Sequence, residues 1–205
     1  MTSGRRLSTK GKQTRATILR TAVNIATIEG LEGLTIGRLA KELQMSKSGL
    51  FGHFGSKEEL QLETVVTARH IFIDEVIVPA RQADPGLARL NALVEAWLSY
   101  MDREVFPGGC FFMAAANEFD NRPGPVRDAI AKNMEGWLSY LTHAVRKAQQ
   151  LGEISADVDP EQLGFEIHAL YLGANWGMQL FDDAQAIERA RRAIEKQITA
   201  VSVAG

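Results

Sequence analysis

The chain has 205 residues, a formal net charge of −2, and 45% apolar and 23% charged residues, a composition typical of a folded, soluble protein. No window approaches the roughly 18 consecutive apolar residues that a membrane span requires, and the basic N-terminus lacks the apolar core of a secretory signal. Cys110 is the only cysteine, so an intrachain disulfide is excluded and a reducing, cytoplasmic location is expected.

Charge is unevenly divided along the chain. Residues 1–60 contain ten Lys and Arg against five Asp and Glu, whereas the remainder contains 13 against 20. A basic N-terminal module therefore precedes an acidic body, which favours a polyanionic partner for the first part alone. An ordinary basic tail would give the same balance, because Arg5, Arg6 and their basic neighbours supply half of the positive charge.

The N-terminal module is predicted to be helical. Helical spacing recurs from end to end and strict two-residue alternation is absent, so the whole chain is expected to be all-α with about nine helices. A first helix ends at Gly30, and Thr35 and Ser46 are expected to cap short second and third helices. Ser56 and Glu59 have the spacing of a capping box, which predicts the start of a long fourth helix.

Proline and glycine divide the rest of the chain into longer elements. Pro79 marks the approximate end of the fourth helix, and Asp84 is expected to cap the next one ahead of Pro85. Further breakers at 106–109 and around Gly124 isolate a short helix between them. The later helices are predicted over 110–119, from about 126 to Gly152, over 160–181 and over 184–201.

The second and third helices suit one particular kind of DNA reader. Two short helices joined by a tight turn can place the second helix in the major groove while the first crosses the backbone, although a generic helical hairpin has the same outline. Leu50 and Phe54 form an i, i+4 pair that is sufficient to anchor the third helix. This leaves Phe51 in solvent, which a generic hairpin does not explain.

The stretch from about Thr14 to Leu62 resembles the DNA-binding module of the TetR family of bacterial transcriptional regulators. The resemblance rests on RATILRTAVNIATIEGLEGLTIGRLAKELQMSKSGLFGHFGSKEEL, whose end matches S-K-x-x-L-[YF]-x-H-F-x-[ST]-K-E-x-L. It implies a homodimer in which residues 1–56 form a basic arm and a helix-turn-helix DNA-binding domain. Residues 57–205 would then form a larger helical domain for ligand binding and dimerisation.

The resemblance also implies which residues contact DNA. The start of the third helix would face base edges or flanking phosphates, and the second and fourth helices would supply phosphate contacts. Capping alone would also explain Thr35 and Ser46. The full set of expected contacts is Thr35, Arg38, Ser46, Lys47, Ser48, Leu50, Phe51, Gly52, His53 and Lys57, and the basic arm would add nonspecific, salt-sensitive attraction.

Three features depart from the family pattern. Gln44 stands where the turn usually has glycine, and a left-handed backbone there would cost about 1 kcal/mol. Phe51 replaces the usual tyrosine and lacks a hydroxyl for a phosphate. Gly49 and Gly52 each weaken the third helix by about 1 kcal/mol relative to alanine. We therefore expect this recognition helix to be partly frayed without DNA and to become ordered on binding.

The predicted helix over 160–181 is apolar on two faces, so both faces need a partner. One face can meet its own domain, and the other is expected to join the last helix in a dimer interface, with complete burial inside one chain as the alternative. Gly173 and Gly177 would let another helix approach closely. The expected interface residues are Phe165, Ala169, Leu172, Gly173, Trp176, Gly177 and Leu180.

An effector pocket is expected among the helices of the body. Its candidate residues are aromatic or otherwise bulky, which favours a moderately apolar small molecule, but core packing is the simpler explanation for each residue. For His168, a hydrogen-bonded core position is the simpler explanation. The candidates are Trp97, Met101, Phe111, Phe112, Met113, Trp137, His168 and Tyr171.

Effector binding is expected to alter the separation of two symmetry-related recognition helices on an inverted-repeat operator, so that effector and DNA weaken each other's binding. The alternatives are an activator, a redox sensor that uses Cys110, a protein-interaction module and a helical enzyme. An enzyme is disfavoured because the sequence shows no nucleophile with a nearby base, no H-x-x-x-H spacing and no glycine-rich phosphate loop. No catalytic residue, metal or cofactor is expected.

Overall fold

The computed structural model describes residues 9–203, and within them the chain folds into nine helices and no β-strand, which confirms the predicted all-α architecture. An isolated bridge pairs Ile154 with Ser202. Arg5 and Arg6 of the predicted basic arm lie outside the described residues. The helices are α1 Thr9–Glu29, α2 Ile36–Leu43, α3 Lys47–Phe51, α4 Lys57–Phe72 with its continuation to Ala80, α5 Leu87–Asp102, α6 Phe111–Phe119, α7 Pro125–Gln150, α8 Pro160–Phe181 and α9 Ala186–Val201.

Local side chains set the helix ends of the N-terminal module. Thr35, Ser46 and Ser56 each accept a hydrogen bond, at 3.0 to 3.1 Å, from the backbone N–H three residues later. The three predicted caps are therefore confirmed. The Glu59 carboxylate accepts a hydrogen bond from the Gly55 N–H at 2.9 Å, one residue before the cap.

Gln44 forms the sharp turn between α2 and α3. Its backbone is left-handed, with φ 53° and ψ 35°, and its N–H donates to carbonyl oxygens at the end of α2. A residue with a Cβ adopts this conformation at a cost of about 1 kcal/mol, which glycine would avoid. The first departure from the family pattern therefore corresponds to a strained turn.

The fourth helix extends beyond Phe72 without a break. It passes through a π-helical turn over Ile73–Ile77, in which the Val78 N–H donates to the Ile73 carbonyl, and it ends with the turn Val78–Ala80. Pro79 lies in that final turn and supplies no N–H. The helix thus ends close to the predicted position.

The start of α5 differs from the prediction. Asp84 does not cap the helix, because Gly86, with φ 107°, occupies the N-cap position and makes no side-chain cap. The N–H of Leu87 instead donates to the Glu153 carboxylate at 2.8 Å. An acid from the segment after α7 therefore replaces the local cap.

Two helices join the N-terminal module to the body. α4 packs against α1 and α7, and α6 also packs against α1 and α7, so each of them touches both parts. In the body, α8 lies between α7 and α9. Within the described part of the chain, no helix combines the length and hydropathy needed to cross a membrane.

Candidate functional site

The recognition helix α3 is anchored through two fully buried side chains. Leu50 and Phe54 are both 0% exposed and belong to the core, as their i, i+4 spacing predicts. Leu50 is also among the predicted DNA contacts, and that assignment is wrong because its side chain has no access to the surface. Its role is to hold α3 against the supporting helices.

Most of the other predicted DNA contacts lie at the surface. Phe51 is 58% exposed, so a large apolar side chain stands in solvent without a packing role. Lys47 extends across the start of α2, where its Cε lies 3.5 Å from the position of a Cβ on Gly37. The exposed predicted contacts are Thr35, Ser46, Lys47, Ser48, Phe51 and Gly52, and their contact with DNA stays a prediction.

The two cations predicted to bind phosphate are already paired with carboxylates. Arg38 contacts Glu29 at 2.6 Å and Glu42 at 2.8 Å, and the Lys57 ammonium lies 2.8 Å from Glu32. The hydrogen bond from Arg38 holds the pKa of the Glu29 carboxyl below its usual value. A phosphate must therefore compete with these acids for both cations.

Arg15 supports the recognition helix from α1. Its guanidinium donates to the His53 carbonyl at 2.7 Å, lies 4.7 Å from the centroid of the Phe54 ring and contacts Glu63 at 3.2 Å. His53, a predicted DNA contact, is half-buried. Arg15 is one of the basic residues near the N-terminus, and its partners are too distant in sequence for this supporting role to be predicted from local patterns.

The recognition helix α3 is only five residues long, and we expect it to be partly frayed in the absence of DNA. We expect amide hydrogen exchange over Lys47–Phe51 to slow at least about tenfold when the protein binds operator DNA, since the DNA-free helix contains Gly49 and ends at Gly52. Gly52 has φ −66°, and the nearest atom to an added Cβ would be 3.4 Å away. Gly52→Ala should therefore slow exchange in the DNA-free protein, with the α2 amides as the internal control. Equal protection with and without DNA would contradict the prediction.

Glu118 on α6 holds the turn between α1 and α2. Its two carboxylate oxygens accept hydrogen bonds from the N–H groups of Leu31, at 2.7 Å, and Glu32, at 3.0 Å. Gly30, with φ 84°, permits this approach, because a Cβ there would lie 2.7 Å from the carboxylate. No local pattern in the sequence connects Glu118 with the distant α1–α2 turn, so its role was not predictable from the sequence.

We expect Glu118→Gln to loosen the α1–α2 turn. The amide nitrogen would face one of the two backbone donors, so one charge-assisted hydrogen bond is lost and the other is weakened. Exchange of the Leu31 and Glu32 amides should rise about tenfold, while the buried amides of α8 serve as the reference. Glu135→Gln, an exposed change of the same chemistry on α7, is the matched control. Unchanged exchange at both amides would show that the carboxylate does not restrain the turn.

The C-terminal part of the α5–α6 loop, residues 106–110, also contacts the N-terminal module. A Cβ on Gly108 would lie 2.0 Å from the carbonyl oxygen of Thr27 in α1, so the loop backbone lies directly against that helix. On the other side, the Asn175 side chain on α8 accepts a hydrogen bond from the Cys110 N–H at 3.1 Å. The intervening Gly109 has φ 79°. The loop therefore contacts both the N-terminal module and α8.

The body contains a cavity of about 720 Å³ between α4, α5, α6, α7 and α8. This volume lies within the usual range for small-molecule sites. Five predicted effector residues line the cavity, namely Trp97, Phe112, Met113, Trp137 and His168. The assignment of Met101, Phe111 and Tyr171 is corrected, because these residues are buried in the surrounding core and do not line the cavity.

The cavity also has a polar lining that is absent from the predicted effector residues. Arg69, Arg81 and Lys132 line it together with Asn133 and Tyr140. A signal was present in the sequence, since Arg69 interrupts the otherwise apolar stripe of α4 residues 66, 73 and 77. Which face of α4 bounds a cavity was not evident from that stripe alone.

Two of the lining residues carry buried polar atoms without a hydrogen-bond partner. Among the described residues, neither the Trp137 Nε1 nor the His168 Nδ1 has a partner. Burial lowers the pKa of His168, which favours the neutral imidazole. The expectation of a hydrogen-bonded core histidine is therefore wrong, because the ring borders the cavity with one nitrogen unpaired.

Cys110 lies at the cavity and is itself buried. Its side chain is 3% exposed and lines the cavity beside Met113. Burial raises the pKa of the Cys110 thiol, so the less reactive protonated form is favoured.

The two predicted faces of α8 differ in burial. The inner face is buried, whereas Phe165 (64%), Trp176 (59%) and Leu180 (67%) on the outer face are exposed. Gly173 has no atom near the position of a Cβ and faces open space. At Gly177 that position lies 2.6 Å from the Cβ of Ala186 in α9, so a helix of the same chain approaches closely there, and contact with a partner chain stays a prediction.

The helices α2 and α3 form a capped helix-turn-helix with an exposed recognition surface. The rest of the chain contains a cavity and an exposed apolar face on α8. Together these features are those of a helix-turn-helix transcriptional regulator. The chain belongs to the TetR family. The model described as "Bacterial regulatory proteins, tetR family" matches residues 18–64, and the model described as "Tetracyclin repressor-like, C-terminal domain" matches residues 86–194.

Known proteins resemble the chain over nearly its whole length. The HTH-type transcriptional repressor NemR of Escherichia coli strain K12 is 23% identical over 195 residues, which cover 93% of this chain and 96% of NemR. A TetR transcriptional regulator from Chloroflexus aurantiacus superposes with a TM-score of 0.89 at 25% identity, covering 96% of this chain and all of that one. A regulator from Saccharomonospora viridis, solved in complex with choline, superposes with a TM-score of 0.79 at 21% identity, covering 94% and 100%.

Proposed function

We propose that this DNA-binding regulator is a repressor, which binds an inverted-repeat operator as a homodimer and leaves it when a small, moderately apolar effector fills the cavity. The observation that carries the proposal is the position of α6. Near its start, Phe112 and Met113 line the cavity, and near its end Glu118 holds the α1–α2 turn. The distance along the helix between Met113 and Glu118 is only about 7.5 Å.

The dimer is proposed to form through the outer face of α8 together with α9. Exposed aromatic and aliphatic side chains of that size are typical of the buried centre of an interface, and a twofold axis makes each contact occur twice. Such a dimer would present two α3 helices to successive major grooves on one side of the duplex. The division into a reader over residues 1–56 and a body over 57–205 is part of the same proposal.

Release from DNA by the effector is proposed to depend on two arrangements of the body, which bind DNA and effector with different affinities. An effector that fits the cavity better in the arrangement unfavourable to DNA must lower DNA affinity by the same factor by which DNA lowers effector affinity. We propose that α4 and α6 transmit the change, since both contact the N-terminal module and line the cavity. NemR, a relative named as a repressor, and the choline complex of the Saccharomonospora viridis regulator support this reading.

The test is a mobility-shift and footprinting experiment on the region upstream of the protein's own coding sequence. We expect sequence-selective binding that weakens steeply with salt, and a protected site with twofold symmetry. Protection that overlaps the promoter supports repression, whereas protection upstream of it supports the activator alternative. A protein that binds no site selectively at low ionic strength would refute the proposal.

A redox-sensing version of the regulator has one structural observation in its favour, the position of Cys110 at the cavity. Its discriminating variant is Cys110→Ser. If an oxidant releases this variant from DNA as readily as it releases the parent protein, the redox alternative is eliminated. The small-molecule effector then remains.

A further inference from the structure

The charge of the cavity lining differs from that of the body around it. Residues 61–205 contain more acids than bases, yet the part of the lining that the structure describes holds Arg69, Arg81 and Lys132 and no Asp or Glu. The apolar part of the same lining includes Phe72, Trp97 and Phe112. The cavity therefore combines an aromatic surface with positive charge.

No carboxylate of the described residues pairs with these three cations. Neither Arg69 nor Lys132 makes an ion pair or a side-chain hydrogen bond within residues 9–203. Arg81 has only a neutral partner, because its Nε donates to the Tyr140 hydroxyl at 3.2 Å and its guanidinium lies 5.8 Å from the centre of that ring. By contrast, Arg38 on the reader is held by two carboxylates.

The three cations occupy different parts of the lining. Arg69 and Arg81 are twelve residues apart on α4, which corresponds to about 18 Å along the helix. Arg81 is beside Tyr140 of α7, and Lys132 is about 12 Å back along α7 from Tyr140. The rings of Phe72 and Trp137 lie 5.2 Å apart, so a second contact joins the two helices on the N-terminal side of Arg81 and Tyr140. Arg69 and Lys132 precede this contact on their helices, and both line the cavity.

One lining residue, Trp137, carries a buried donor without a partner. The Trp137 side chain is 8% exposed, and its Nε1–H, which can only donate, has no acceptor within the described residues. A buried donor without a partner carries a free-energy cost that a ligand acceptor would remove. A purely hydrocarbon ligand would leave this donor unpaired.

We propose that the effector is an amphipathic anion, an aromatic or medium-chain carboxylic acid in its ionised form. Its carboxylate lies between Arg69 and Lys132, its apolar part packs against Trp97 and Phe112, and Trp137 donates a hydrogen bond to one of its oxygens. This assignment rests on the proposed function of the cavity as the effector site. It specifies the charge of the effector, which the sequence did not indicate.

The test compares acids with their neutral amides on the full-length protein without DNA. The probe pairs are 2-naphthoate with 2-naphthamide and octanoate with octanamide, and binding is measured by isothermal titration calorimetry. At least one carboxylate should bind about tenfold more tightly than its amide, since a charge-assisted hydrogen bond is lost with the charge. Arg69→Gln and Lys132→Gln should each reduce that preference about threefold or more.

The matched control is Lys147→Gln, which removes the same charge from α7 about 22 Å along the helix from Lys132 and outside the lining. It should leave the preference unchanged. Melting temperatures of the variants verify that each protein remains folded. Trp137→Phe, which keeps an aromatic ring and removes the donor, should weaken carboxylate binding several-fold.

Three results would overturn the assignment. They are amides that bind as tightly as their acids, an absence of carboxylate binding at millimolar concentration, and a loss of preference in Arg81→Gln alone. The operator assay separates this inference from the proposed function. If only neutral compounds release the DNA, the anionic effector is refuted and the proposed repressor function stands. If acids bind selectively but the protein binds no operator, the repressor function is refuted and the anionic ligand stands.

Discussion

Acidic substitutions on the outer face of α8, in the double variant Leu172→Glu with Trp176→Glu, are expected to give a monomer and to weaken operator binding more than about 100-fold. Both side chains are exposed in the single chain, Trp176 by 59%. In a twofold dimer the four new carboxylates would meet across one axis, where desolvation and repulsion act together. A monomer offers one recognition helix instead of two.

Analytical ultracentrifugation gives the mass, and a titration with labelled operator gives the affinity. The control is Leu151→Glu, because Leu151 is 51% exposed and lies beyond the end of α7, away from the outer face of α8. This variant should remain dimeric with normal affinity. If the double variant also stayed dimeric, the interface would have to be elsewhere on the molecule.

Gly108→Ala is expected to destabilise the protein by about 2 to 3 kcal/mol. The new Cβ would lie 2.0 Å from the carbonyl oxygen of Thr27, and both atoms belong to or adjoin backbone that no side-chain rotation can move. The α5–α6 loop must then shift away from α1. Because this loop also carries Cys110 at the cavity, we expect weaker operator binding as well.

Urea unfolding provides the measurement, and Gly136→Ala provides a control of identical chemistry. Gly136 lies within α7 with no atom near the position of an added Cβ, so alanine should stabilise the helix by about 0.5 to 1 kcal/mol. The two variants are thus expected to shift stability in opposite directions. A Gly108→Ala protein as stable as the parent would show that the loop is not pressed against α1.

The features that sequence predicted well depend on neighbours along the chain. The caps at Thr35, Ser46 and Ser56, the i, i+4 anchor of α3 and the two faces of α8 follow from helical geometry within a few residues. The predicted cap of α5 was wrong because the group that replaces it is distant in sequence. Glu153 reaches Leu87 only after the chain has folded. Glu118 was missed on the same ground.

In the candidate site, too, features that depend on neighbours along the chain were predicted, and features that depend on distant residues were not. The recognition motif located an exposed reader that includes Lys47 and Phe51, but no spacing could indicate that Arg38 and Lys57 are already held by acids. Aromatic residues suggested a pocket, and five of eight line it. The cations that give the cavity its charge lie on separate helices, so only the packing of α4 against α7 brings them to one space.

The two faces of α8 leave this helix little freedom to change in length. Tyr171 and Ala174 face the core, whereas Leu172 and Trp176 face outward, so adjacent positions serve opposite surroundings. One inserted residue would turn everything after it by about 100°, which would expose core side chains and withdraw outward ones. Natural variants of this protein should therefore tolerate insertions in the loops before and after α8 and none within it.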